Sequence, residues 1–369
     1  MSSRRVPLWG VVGLVFVGAC CKTVAALPKP MPFFPKCPDP TNDCTLSNGT
    51  GVYYQEDGSA GITTPEISFL ITHFVNDGAE VHFRGRYFDP SANLWKQLPT
   101  DGTVAGALFA GERWAVKSIG ETGTVPTWTL ARQNLVKPVV GDELVGLVLE
   151  LTLPDPFPVL SATSRSAAFT FRLDFKGQAA PGSSAPVVTK VGNGTTVHGY
   201  GMRWGAGAGP RHYCLDASNQ PDAVVFQQGI GVNALNGDII RGDKFVTLSC
   251  SLGAPAVVYG WGYDYKAPAA DFYFRSAIQM KRAAYCGNRR YFTKTGTSIA
   301  IADDASVVHD PYTKEQIEAY WTPKGASCLS KRRHPEIAFN GECDGTPLVA
   351  CEDLGQVGAP WLLDAIPSP

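Results

Sequence analysis

Cys286 lies between Tyr285 and Gly287. A thiolate becomes a nucleophile when an imidazole lowers its pKa, a part open to His309, whereas in an exported chain the same cysteine is expected in a disulfide. Ser249 and Ser251 lack the Gly-x-Ser-x-Gly turn that exposes a hydrolase serine, so both are expected as structural hydroxyls. Asp303 and Asp304, with His309 and Asp310 nearby, offer hard oxygens to a calcium ion, but their spacing matches no calcium loop. His73 and His82 can face each other across a hairpin through Asn76-Asp77-Gly78. Two imidazoles without a third ligand read as strand neighbours rather than a metal site. Arg241-Gly242-Asp243 is read as a hairpin turn, not as an adhesion tripeptide. No cofactor and no metal is expected.

Trp261, Tyr263, Tyr265, Phe272, Tyr273 and Phe274 crowd into 14 residues beside Asp264, Lys266, Asp271 and Arg275. Exposed aromatics flanked by polar groups stack on sugar faces or anchor a partner, which makes Trp261, Tyr263, Tyr265 and Tyr273 the binding candidates. Their alternation at Trp261, Tyr263 and Tyr265 fits a buried sheet face better.

These residues must be held by β-structure. Short apolar runs at Ile67 to Val75, Glu80 to Phe88, Trp114 to Ile119, Leu144 to Leu153 and Ala167 to Phe175 alternate with turn residues, the pattern of antiparallel strands. One segment carries helix signals: Asp310 as cap, Pro311 at the first helical position, then Ile317, Tyr320 and Trp321 on one face before Pro323. The expected fold is therefore mostly β, as two β-rich, sandwich- or barrel-like domains, the second with one short helix and disulfides.

Composition agrees. The 369 residues hold 39 glycines and 28 prolines, yet 44% are hydrophobic and 11% aromatic, which excludes global disorder. Charged residues make up 18%, and 32 Lys+Arg against 33 Asp+Glu give a net charge of -1, so no electrostatic footprint for nucleic acid exists.

The N-terminus and the cysteines speak to compartment. Arg4 and Arg5 precede an apolar run from Val6 to Ala19 that is too short to span a bilayer and reads as a signal peptide. It ends in Val17-Gly18-Ala19-Cys20, which resembles the bacterial lipobox and implies acylation of Cys20; cleavage after Val24-Ala25-Ala26 is the alternative. Cys37, Cys44, Cys214, Cys250, Cys286, Cys328, Cys343 and Cys351 then form an even set of disulfide candidates, with no Cys-x-x-Cys to suggest metal. Cys37 with Cys44 is a short closure. In the second domain the least entangled pairing joins Cys214 with Cys250, Cys286 with Cys328 and Cys343 with Cys351. The expected organisation is signal peptide 1–19, a lipid-anchored tether 20–50 rich in Pro28, Pro30, Pro32, Pro35, Pro38 and Pro40, a β domain 51–176, a linker 177–190, a disulfide-stabilised β domain 191–355 and a tail 356–369.

Met280 to Gly287, with Ala284-Tyr285-Cys286-Gly287 at its end, followed by Thr293-Lys294-Thr295-Gly296-Thr297 and Asp303-Asp304, resembles the ADYC domain of secreted bacterial proteins. Further matches are Phe245 to Cys250, Tyr259 to Tyr263, Glu318 to Trp321 and Gly325 to Cys328, so the resemblance covers about Val197 to Cys351. The chain departs from the signature at Ala284, where the family name implies aspartate. The resemblance supports an exported protein and supplies no catalytic residue. The resulting expectation is a cell-envelope lipoprotein, anchored at the bacterial outer membrane or cell surface, acting as a binding or structural module toward a glycan or protein partner. An exported hydrolase of polysaccharide or peptide is the alternative.

Overall fold

A computed structural model describes residues 62–63, 68–89, 94–153, 169–176, 187–190, 196–204, 211–214, 223–232, 238–250, 253–267, 271–287, 292–293, 297–354 and 357–367. The signal peptide, the tether, Cys20, Cys37, Cys44 and most of the expected linker lie outside them. Among the described residues the fold is mostly β, with two short helices and three disulfides.

Eight antiparallel strands close on themselves. In order they are Glu80–Asp89, Ser68–Asp77, Ile239–Cys250, Ala223–Val232, Thr196–Trp204, Phe169–Lys176, Val148–Leu153 and Gly102–Phe109, and the last pairs back onto the first. At that seam Gly102 faces Phe83, and a β-carbon on Gly102 would fall 2.0 Å from the Phe83 ring. Only glycine lets the two strands meet there. Alternation fills the barrel: Leu173 and Phe175 are buried while Asp174 between them is half-buried and Arg172 before them is exposed. Glu112–Thr122, Val125–Arg132 and Leu135–Val140 extend the sheet beyond Gly102–Phe109. Trp128 of this extension packs edge-on against Phe74, Phe175 and Phe226, with ring centroids 4.9 to 6.2 Å apart.

The barrel core runs from Ile71 to Cys250 without a break, so the boundary expected at 177–190 does not divide two cores. Instead Phe169–Lys176 and Thr196–Trp204, on either side of that segment, are hydrogen-bonded neighbours. Small and proline residues there mark a connection within one barrel, because composition reports local chain freedom and not which strands pair across it.

The second core joins α1 (Ala254–Gly260), α2 (Asp271–Arg282) and a sheet ordered Ala300–Asp303, Leu362–Ala365, Ile317–Thr322, Gly325–Leu329. The helix expected from Pro311 to Trp321 is a strand preceded by one 3-10 turn at Lys314–Gln316. Asp310 does not cap it; its carboxylate accepts from the Ile301 backbone N–H at 3.0 Å. Ile317, Ala319 and Trp321 are buried at period two, a spacing that Ile317 and Trp321 satisfy as well as a helical face. Conversely, Trp261, Tyr263 and Tyr265, expected on a sheet face, lie in the connection after α1, and Phe272 to Phe274 open α2, which has Asp271 in its first turn and Lys281 and Arg282 in its last, the arrangement the helix dipole favours.

Disulfides join Cys214 to Cys250, as expected, but Cys286 to Cys343 and Cys328 to Cys351. The last two interleave along the chain. Choosing the least entangled pairing failed because Gly325–Leu329 is held by the end of α2 at one end, where Ala326 N–H donates to the Tyr285 carbonyl, and by the segment before Cys351 at the other, where Leu329 N–H donates to the Val349 carbonyl, so neighbours in sequence are not neighbours in space.

Candidate functional site

The aromatic candidates are core residues. Trp261, Tyr263 and Tyr265 are buried in the chain joining α1 to α2, and Tyr273 is partly buried on α2. Tyr263 donates to Asp303 Oδ2 and Tyr273 to Asp304 Oδ1, each at 2.8 Å, while the two rings stack. Asp303 also accepts from the backbone N–H groups of Val307 and Val308. The acids considered for calcium are thus occupied by phenol and backbone donors, and no group of three metal-ligating side chains occurs among the described residues. Cys286 is disulfide-bonded and has no thiol to offer His309. The two histidines do not face each other: register sets His73 against Arg84 and His82 against Val75. Burial, with Arg84 adding to it, pushes the His73 pKa down to about 3, so its ring is neutral. Arg241-Gly242-Asp243 is no hairpin turn but lies within the Ile239–Cys250 strand, opposite a bulge between Gln228 and Ile230. The extra residues lie on the tripeptide's own strand, where 242–245 stand against Gly229, and Arg241 reaches the α1–α2 connection at the Tyr265 carbonyl.

Beside this bulge is a cavity of about 790 Å³ lined by Gln228, Arg241, Asp243, Tyr265, Lys266 and Asp271. The Arg241 guanidinium donates from Nε to Asp271 Oδ1 at 2.7 Å and from Nη1 to the Tyr265 carbonyl. Behind the wall lies Glu121, its side chain 3% exposed. Its Oε2 accepts from Tyr265 at 2.7 Å, from the Gln228 backbone at 2.9 Å and from Lys266 Nζ at 2.9 Å. Burial raises the Glu121 pKa against the lowering pull of Lys266 and the other donors. Sequence reasoning named Tyr265, Lys266 and Arg241 here but missed Glu121 and Gln228. Nothing local marks Glu121, because its partner Gln228 is 107 residues away and joined to it only by the fold.

The signature segment has a different part. Tyr285 stacks on Phe292, Trp321 and Phe339 with centroids 5.2 to 5.6 Å away, and its hydroxyl donates to buried Glu318. Glu318 and Asp364 both bind the Arg333 guanidinium, and Trp321 Nε1 donates to Asp364 at 2.7 Å. For Glu318 burial pushes the pKa up, but Arg333 and the surrounding donors outweigh it and hold the carboxyl below its usual range. Burial and the Glu318 charge push Asp364 the other way. Gly287 is left-handed at φ +61°, and a β-carbon there would lie 2.0 Å from the Lys324 carbonyl oxygen. Tyr285 and Gly287 thus fasten the end of α2 onto the second sheet through a stack and a close backbone approach, and Cys286 ties it by a disulfide to the Glu342–Cys343 strand of a small separate hairpin.

These features define a class: a disulfide-braced, mostly-β protein in which a closed barrel carries a helix-and-sheet layer locked by a Tyr-Cys-Gly segment. The chain belongs to the ADYC domain family, whose match covers residues 141–335, just over half of its length. The match begins in the barrel, before the expected Val197, in keeping with the undivided core. Neither a curated protein nor a solved structure matches the chain.

Proposed function

We propose that the protein is an exported, lipid-anchored module of the bacterial cell envelope that binds a polar ligand, with a glycan as the fitting class, in the cavity beside Arg241. The observation that carries this reading is the cavity wall itself: Arg241, Asp271, Lys266 and Gln228 present donors and acceptors of both signs within one concavity, the set that reads paired hydroxyls. Aromatic stacking plays a small part, since Trp261, Tyr263 and Tyr265 are buried. The even set of cysteines and the three disulfides support an oxidising compartment. No helix among the described residues is long and apolar enough to cross a membrane; attachment rests on Cys20.

Two experiments test the reading. Cys20→Ala should move the protein from the membrane to the soluble exported fraction, and an unchanged membrane fraction with no acyl mass on the wild type ends the anchor. For the ligand, the full exported chain is applied to an array of bacterial envelope glycans. Arg241→Met should weaken binding about tenfold or more, the worth of one charged hydrogen-bond partner, while the melt stays cooperative and falls by only a few degrees with the lost Asp271 contact. Absence of binding by the wild type, or equal binding by the variant, refutes the cavity as the site.

A further inference from the structure

Among the described residues five large apolar side chains stand exposed, and three of them, Leu135, Val136 and Val140, lie on one six-residue strand. That strand, Leu135–Val140, stands last in its sheet, paired with Val125–Arg132 on one side. Its core contact is Val139, which is buried opposite Trp128. On the other face Val136 stands in a row with Ala131 and Ala115, while Pro138 and Val140 stand beside Thr129 and Thr127, so the face carries no acid along these rows. Leu135 and Val136 are 57% and 69% exposed and follow directly on the Gln133-Asn134 turn. An apolar hairpin tip of this kind marks a contact surface.

Cations gather around the same tip. Lys137 is exposed on the strand itself, its Nζ 4.5 Å from the Phe109 ring centroid. Arg113 and Lys117 are exposed on Glu112–Thr122, two strands in from the edge, and Arg132 closes the turn. Against these four stand two acids: Glu112, which binds Arg132, and Glu150, which is 8% exposed and divides its charge between Arg113 and Arg172. Asp142 and Glu143 lie beyond Val140, at the opposite end of the strand. The tip is therefore positive in a chain whose net charge is -1.

Strand addition does not fit this edge. Pro138 has no N–H to give the ladder, so positions 136, 138 and 140 turn their backbone outward, and the Val140 N–H meets Glu143 Oε2 at 3.4 Å. Only the Val136 N–H remains as an outward donor on the strand, too little to hold a second one. The face is also small. Three strands of six residues cover about 300 Å², well under the roughly 800 Å² per partner of a stable protein interface. A bilayer asks for no matching shape, and binding to it scales with apolar area plus attraction to anionic headgroups.

We infer that the Leu135–Val140 edge docks, tip first, on an anionic phospholipid surface. Leu135 and Val136 enter the headgroup boundary, and Lys137, Lys117 and Arg113 meet lipid phosphates. The contact goes beyond the anchor at Cys20 and needs none of it: an acyl chain would hold the protein at the membrane, and this edge would set which side of the barrel faces the lipid. Being largely electrostatic, it is released by salt, which the acyl anchor is not.

The test uses the full exported chain carrying Cys20→Ala, so that no acyl chain contributes, and flotation with vesicles at low salt. The protein should float with vesicles of phosphatidylglycerol and phosphatidylcholine, and stay behind with phosphatidylcholine alone or in about 0.5 M salt. Lys117→Gln with Lys137→Gln should weaken binding about tenfold or more, at about fivefold for each charge removed near the surface. Leu135→Ser with Val136→Ser should weaken it about tenfold. Val307→Ser with Val349→Ser, exposed apolar residues elsewhere, should leave it unchanged. Equal binding to both kinds of vesicle, or wild-type binding by the Leu135 and Val136 pair of changes, overturns the inference. So does a dimer that forms without lipid in the ultracentrifuge and disappears in that pair, which would make the occupant a second copy. Because the measurement omits the acyl chain, failure of the Cys20 anchor leaves it standing, and its own failure leaves the anchor standing.

Discussion

Arg333→Ala is expected to destabilise the protein by about 3 to 5 kcal/mol, the cost of removing one partner from a buried ionic cluster. Glu318 and Asp364 are fully buried, and the guanidinium is the sole cation bound by both: Nε meets Glu318 Oε2 at 2.7 Å and Nη2 meets Asp364. Without it two carboxyls remain side by side in a low dielectric, with Tyr285, Trp321 and the residue 333 backbone N–H as the donors left around them. Both would then have raised pKa values in the folded state. A raised carboxyl pKa leaves the folded state unpenalised below the unfolded value and costs stability as pH rises above it, so the deficit should shrink as pH falls toward about 4. Urea unfolding at neutral and acid pH measures both. A loss below about 1 kcal/mol, or one that grows on acidification, contradicts the picture. Replacing all three together by Leu, Met and Leu should cost much less than the single change, because it leaves no buried charge behind.

Strands in the first half were legible because their signals are local. Ser68–Asp77 and Glu80–Asp89 join at Gly78, a glycine at φ +61°, as Asn76-Asp77-Gly78 implies. The mostly-β class and the signature at Tyr285 were legible for the same reason. What escaped depends on pairing over long separations. Val224 meets Cys250, and His73 meets Thr247, which makes one barrel of what composition divides in two. Asp310-Pro311 carries every local sign of a helix start, yet burying Glu318 against Arg333 needs the extended backbone of Ile317–Thr322. Tertiary packing overrides propensity there. Residues such as Glu121 and Gln228 have no distinguishing neighbours in sequence and take on a part only through partners set beside them by the fold.

Reduction of the three disulfides is expected to remove most of the stability. Their sequence separations are 36, 57 and 23 residues, and loops of that size constrain the unfolded chain by about 3 to 4 kcal/mol each. Together they rival the whole folding free energy of an ordinary domain, about 5 to 15 kcal/mol. A thermal melt in strong reductant should therefore fall by about 20 °C or more, or lose its cooperative transition. The order of opening follows from burial. Cys214, Cys250, Cys328 and Cys351 are buried, whereas Cys286 and Cys343 are partly exposed and Cys286 lines a cavity of about 330 Å³ together with Phe292, Phe339 and Glu342. A thiol reaches a sulfur only by contact, so under mild reductant Cys286 and Cys343 should be the first to take an alkylating label. Peptide mapping of the unreduced protein should recover Cys286 linked to Cys343 and Cys328 linked to Cys351. Labelling of Cys286 in the unfolded, unreduced chain would remove that bond and free the thiol. First labelling at Cys328 would instead show that the Gly325–Leu329 strand opens before the cavity does.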